Sequence, residues 1–341
     1  MKEAIAVVNI AFLGFVSYWL WKKERSEFRI FFWPALILKC LAGICLGLVY
    51  TYYYTVGDTF NYFHDGIKLA ELAKADIGAY LKFLWLGNES DAITHELIYR
   101  QPRAMFFSKI TSVFCFITAG NYWIVSLYFS SACFITAWIL VKKVAAVYSG
   151  TKIPAVISFL FFPSVVFWSS GIIKESIAMS CLFYLTYIIL KIFKHESLTL
   201  YHGLMAIFLT WLLWNLKYYY LAVFLPVAFT TLSVQFLVTR FPVNGLVIKI
   251  FLWAIVFIVP LLAVSFLHPN FYPQRFMEVV VSSYHEYETI SEPDDLIHYH
   301  SLKATPLSLI QNTPMALVSG LYRPFLTEAN SFLQFCIAVE N

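Results

Sequence analysis

Apolar stretches of about 20 residues recur along almost the whole chain, with polar loops between them. A helix needs that length to cross a hydrocarbon core roughly 30 Å thick. The runs predict eight complete spans, at about Ala4–Trp21, Ile30–Tyr54, Tyr122–Val141, Ile153–Ser170, Ile172–Ile192, Leu200–Leu216, Leu221–Val238 and Leu246–Leu267. A further apolar run, SFLQFCIAV, begins after Asn330 and reaches Asn341 within eleven residues. It predicts a truncated ninth helix and a natural chain that continues. The expected fold is therefore all-α: one polytopic integral-membrane domain over 1–341, with interfacial helices in its two long polar intervals, 55–121 and 268–330.

Basic residues orient the spans. Lys22, Lys23, Arg25 and Arg29 follow the first run and mark a cytoplasmic loop, which puts the N-terminus outside. Tyr50, Tyr52, Tyr53 and Tyr54 then form an aromatic belt at the opposite face. The run Phe106–Thr118 is short for a span and carries Lys109, and Gly120–Asn121 leaves almost no loop after it. Read as an interfacial helix, it keeps Lys142, Lys143, Lys152, Lys191, Lys194, Arg240 and Lys249 inside. Both long intervals then face outward, with the stretch GDTFNYFHDGIKLAELAKADIGAYLKFLW helical and amphipathic.

Composition removes other classes. Only 13% of residues are charged and 60% are hydrophobic, against about 25% charged in soluble domains. A net charge of +4 scattered over loops offers no patch for nucleic acid. The six cysteines show no metal-ligand spacing and read as small membrane hydrophobes. The first run, with one Lys before it and a basic cluster after it, reverses the pattern of a cleavable signal peptide.

Candidate chemistry centres on Phe161–Ser180, FFPSVVFWSSGIIKESIAMS, where Lys174 and Glu175 interrupt two apolar runs. An ionisable residue at membrane depth is costly and points to function. Ser169, Ser170 and Gly171 break the helix and place Lys174 in the first turn of the next one. Exposed N–H groups, two hydroxyls and an ammonium there suit a phosphate or carboxylate. The bland alternative is that Lys174 reaches the headgroups and Glu175 meets another helix.

Asp58, Asn61 and Asp65 fall at i, i+3 and i+7 on one helix face. Asp58 can take a proton from a hydroxyl, hold a divalent cation or cap the helix. Lys217 ends the sixth span, where the helix dipole favours a cation. Arg323 is a natural bidentate phosphate ligand, and Glu328 suits the first turn of the last helix. His285, Glu286, Glu288, Asp294, Asp295, His298 and His300 crowd one polar stretch, in a spacing that fits no recognised metal site.

The segments Gly57–Tyr62 (GDTFNY), Phe162–Ser176 (FPSVVFWSSGIIKES) and Tyr322–Phe325 (YRPF) look like segments of bacterial envelope proteins placed near the GT-C membrane glycosyltransferases. The pair of spans followed by an external Asp is similar to that superfamily. The resemblance implies an acidic residue in the first external loop as base or metal ligand, at Asp58, and a lipid-phosphate donor. A D-x-D motif and a large soluble C-terminal domain are not evident in the sequence.

The leading expectation is a glycosyltransferase of the bacterial inner membrane using a polyprenyl-(pyro)phosphate-linked sugar and a glycan or protein acceptor. Asp58 and Asp65 are its catalytic candidates. Lys174, Arg323, Lys217, Ser169 and Ser170 would hold the donor phosphate, supported by Asn61, Glu175 and Glu328. The metal requirement is open, with a divalent cation as one option. The alternatives are a transporter or lipid-linked sugar flippase using the broken helix at Ser169–Gly171, and a non-catalytic subunit of an envelope assembly.

Overall fold

The computed structural model describes residues 2–54, 57–87, 91–241, 245–291 and 296–341. Every regular element among them is helical. The chain divides into two compact units, Met1–Leu221 and Ala222–Asn341.

The first unit opens with α1 (Lys2–Lys22) and α2 (Ser26–Tyr52). Three helices that fall short of a membrane span in length or hydropathy follow: α3 (Asp58–Ala75), α4 (Ile77–Leu86) and α5 (Pro102–Ile117). Next come α6 (Tyr122–Val147), the short α7 (Lys152–Val156), a π-helical turn at Ile157–Phe161 and α8 (Pro163–Trp168). Then α9 (Lys174–Phe193) leads to α10 (Leu200–Arg240), which runs on into the second unit.

The helices α2, α6 and α9 pack together, and α8 lies on α2. Their core is aromatic: Phe32 meets Phe134 and Trp138 edge-to-face, at 5.1 and 5.0 Å between ring centroids. Such pairs add about 0.5–1.5 kcal/mol beyond their buried area. Farther along α2 the contact is made by small residues. Ser126 Oγ donates to Gly43 O at 3.0 Å, and Gly171 N donates to Ser130 Oγ at 3.0 Å. A Cβ on Gly43 would collide with Ser130 Oγ, and Gly171 has φ +72°, a region open mainly to glycine. Close approach with polar cross-links is how membrane helices associate. The α1 helix is anchored by Asn9, which donates to Ile117 O at 3.2 Å and accepts from Tyr128 Oη at 2.7 Å.

The amphipathic stretch forms two helices. Asp76 leaves helical φ/ψ and caps α4 by accepting from Gly78 N and Ala79 N, at 2.9 and 3.0 Å. The α3 helix packs against α5 and α4, burying Leu69, Ala73, Tyr80, Phe83 and Met105 with Leu97.

Six helices among the described residues are long and apolar enough to cross a membrane: α1, α2, α6, α9, α10 and, in the second unit, α11 (Leu246–Leu267). They give the chain the character of a helical membrane protein. The number differs from the expected eight at two places, the fourth span and α10. Phe162 adopts extended geometry before Pro163, so the expected fourth span is divided into α7, the π turn and α8. A residue before proline is pushed out of the α region. The expected sixth and seventh spans are the two helices that meet at a kink within α10, near the boundary expected between Leu216 and Leu221. Its one non-helical residue is Lys217, at φ −148° and ψ 74°.

The second unit also holds α12 (Pro273–Ile290), α13 (Pro306–Tyr322) and α14 (Phe332–Glu340). The expected histidine and carboxylate stretch lies partly on α12, where His285 Nδ1 meets Glu288 Oε2 at 3.0 Å. Asp294 and Asp295 lie outside the described residues. No cluster suited to a metal ion occurs among the described residues.

Candidate functional site

One end of the first unit brings together Asp58, Lys174, Glu175, Lys217 and Arg103. The α3 helix starts at Asp58, after Gly57, which is extended and lies against the Tyr50 ring. Asp58, Asn61 and Asp65 do share a face of α3, and that face turns to the segment ending at Tyr99. The Tyr99 hydroxyl donates to Asp58 Oδ1 and lies 3.4 Å from Asn61 Nδ2. Burial, and behind it the Asp58 carboxylate it donates to, push the Tyr99 hydroxyl well above its ordinary range. Tyr99 therefore stays a proton donor to Asp58 at any physiological pH.

Asp65 has a different occupation. It is fully buried and accepts from Ile98 N at 2.7 Å, Tyr99 N at 3.0 Å and Ser108 Oγ at 3.3 Å. Its carboxylate is a clamp that fixes the Tyr99 backbone. Buried with its lone pairs engaged, Asp65 cannot meet a substrate, so its expected catalytic role gives way to a positioning one.

Lys174 is the first residue of α9, as the helix break predicts. Its Nζ lies 5.2 Å from the centre of the Tyr62 ring, a cation–π distance. Tyr62 is itself 2% exposed and has Asp58 as an electrostatic neighbour. Asp58, Lys217, Glu175 and Arg103 are all close enough to act on the Lys174 charge. Among the described residues, Lys174 makes no ion pair. Its sequence neighbour Glu175 pairs instead with Lys217, through Oε1 and Nζ. Lys217, at the irregular point of α10, also faces the rings of Tyr219 and Tyr220, at 5.7 and 5.2 Å. Arg103, in the first turn of α5, covers the Tyr218 ring at 4.0 Å.

The serines expected to hold phosphate are turned inward. Ser170 is fully buried and donates to Val166 O at 2.6 Å. Ser169 donates to Val165 O and accepts from Lys39 Nζ. The turn they form is locked between α2 and α6 by the Gly43, Ser130 and Gly171 contacts, which leaves their hydroxyls no outward path. Arg323 and Glu328, in the second unit, are committed to each other. Arg323 Nε donates to both carboxylate oxygens at 2.9 and 3.0 Å, and Phe325 N donates to Glu328 Oε2 at 3.0 Å.

Sequence reasoning passed over three contributors. Arg103 and Tyr99 sit in a polar segment without a motif. Lys39 lies within α2, 5% exposed, with Nζ donating to Val166 O at 3.2 Å as well as to Ser169. A charge inside an apolar run is the signal that picked out Lys174, and it applied to Lys39 equally.

The arrangement brings a carboxylate, two cations and an ion pair to one place, with tyrosines between them. Chemically it can accept a proton at Asp58 and bind an anion at Lys174 and Arg103. No protein-family model, curated protein or solved structure matches this chain.

Proposed function

We propose that the protein is a membrane-embedded glycosyltransferase that moves a sugar from a polyprenyl-(pyro)phosphate donor to an acceptor hydroxyl. The reaction would take place at the periplasmic face of the bacterial inner membrane, with the N-terminus on that side and α5 in the interface. The observation that carries this reading is the meeting of Asp58 (α3), Arg103 (α5), Lys174 (α9) and Lys217 (α10) at one end of the first unit. The resemblance of the GDTFNY and FPSVVFWSSGIIKES segments to GT-C-like envelope proteins supports the same reading.

In the reaction, the acceptor oxygen attacks the anomeric carbon as its proton passes to Asp58. The bond from that carbon to the donor phosphate breaks, and the electron pair stays on the phosphate. Lys174 and Arg103 stabilise that anion, while Glu175 holds Lys217 in place beside them. Charge stabilisation of the leaving group and general-base help are the two contributions such a transfer needs. Tyr99 orients Asp58, and Asp65 orients Tyr99.

A transporter or flippase draws support from one observation, the buried Lys39 ammonium beside the broken segment at Ser169–Gly171. Reconstitution separates the two readings. Liposomes holding the purified protein, a polyprenyl-phosphate-linked labelled sugar and a glycan acceptor should yield a covalently labelled acceptor. Exchange of the labelled lipid between leaflets with no covalent product would instead identify a carrier.

A further inference from the structure

The opposite end of α2 and α6 holds a cavity of about 630 Å³ that the proposed transfer does not use. Arg25, Lys142, Lys143 and Lys152 line it, together with Glu24 and Glu27. Its far wall carries Tyr187, Tyr201 and His202, with Tyr187 Oη 3.4 Å from His202 Nε2.

The cations are not equally engaged. Glu24 accepts from Lys142 Nζ at 2.8 Å, Trp138 Nε1 at 2.7 Å and Arg25 N at 3.0 Å, so Lys142 is held. Lys143 pairs with Glu196. Lys152 has a loose contact with Glu27, at 3.5 Å, with both side chains substantially exposed, a pair of the kind worth about 0–1 kcal/mol, and it lies 5.3 Å from the centre of the Phe28 ring. The Arg25 guanidinium makes no ion pair or hydrogen bond among the described residues. Four cations thus face three carboxylates, Glu196 included, and the surplus charge rests on the two least committed side chains. A planar guanidinium beside an ammonium is the donor set that grips a phosphate, while hydroxyl and imidazole groups opposite suit a polyol.

We infer that this cavity binds a phosphate-ester anion, held by Arg25 and Lys152, with the Tyr187–His202 wall taking the hydroxyl groups of its alcohol. Because the cavity sits at the ends of apolar helices, an anionic lipid headgroup is the nearest source, and a soluble phosphate ester is the other.

Native mass spectrometry of the delipidated protein, offered equal amounts of phosphatidylglycerol and phosphatidylcholine, tests the inference. The wild type should retain phosphatidylglycerol at least about 10-fold in preference, and the R25Q/K152Q variant should lose the preference. Both positions lie near the surface, and thermal unfolding of the variant checks that its fold is intact. Calorimetry with sn-glycerol 3-phosphate forms the second arm. Binding there that the same variant abolishes would support the site and assign it to a soluble ester. Absence of both the lipid preference and glycerol-phosphate binding, or either one surviving unchanged in the variant, would overturn the inference.

Discussion

The two ends of the first unit treat charge in different ways. At the Lys142 end, carboxylates hold two lysines firmly, Glu24 with Lys142 and Glu196 with Lys143, while Glu27 reaches Lys152 only loosely and Arg25 is left over among the described residues. At the Asp58 end, Glu175 and Lys217 pair, but the neighbouring Asp58 and Lys174 each meet a tyrosine instead, Asp58 the Tyr99 hydroxyl and Lys174 the Tyr62 ring. An ion pair consumes both charges. A tyrosine partner positions a charge while leaving most of its field available, which is what binding an anion or accepting a proton requires.

The sharpest way to break this contrast is to remove the cations that, among the described residues, have only aromatic partners. Lys174→Ala with Arg103→Ala should weaken donor binding by more than about 100-fold, since each charge-assisted contact is worth about 1.5–3 kcal/mol. Equilibrium binding of a polyprenyl-phosphate sugar reads this directly, and an unchanged affinity would place the donor elsewhere. The next effect concerns the clamp. Asp65→Ala removes the acceptor of the Ile98 and Tyr99 N–H groups, while Ser108 keeps the Ala104 carbonyl, for a loss of about 2–3 kcal/mol, seen as a lower thermal midpoint. Asp65→Asn keeps an acceptor and should recover part of it.

The smallest effect belongs to the paired end. Burial alone would raise the Glu24 pKa, but Lys142, the Trp138 indole and the Arg25 N–H together hold it below its ordinary value of 4.5. A depressed carboxylate contributes stability that is present above the unfolded pKa and lost as pH falls through the folded one. Acidification below about 4.5 should therefore weaken this end by up to roughly 1 kcal/mol. Thermal midpoints between pH 6 and pH 3 should fall less steeply in Glu24→Gln than in the wild type.

Much of this was legible in the sequence, and the failures have physical causes. The start of α9 at Lys174 could be read because Ser-Ser-Gly interrupts the apolar run and a charge follows within three residues, a pattern that ends one helix and opens the next. The shared face of Asp58, Asn61 and Asp65 followed from helical period alone. What that face meets could not be read, because Tyr99 arrives from a loop 41 residues away and is one of 22 tyrosines. Burial separates Asp58 from Asp65, and spacing carries no information on burial. The inward turn of Ser169 and Ser170 depends on Gly43 and Ser130, which belong to other helices. The span count failed where local geometry outweighed hydropathy, at Phe162–Pro163, whereas the break between the sixth and seventh spans does fall at the Lys217 kink of α10.

The central claim is that Asp58 is the base for sugar transfer, and a single-turnover experiment tests it most directly. Wild type and Asp58→Asn would be reconstituted in liposomes, loaded with donor to a measured occupancy and mixed with acceptor. The account predicts equal donor occupancy, rapid product formation by the wild type and a rate at least about 100-fold lower in the variant, the usual scale of general-base help. Product formed by Asp58→Asn at the wild-type rate would contradict it.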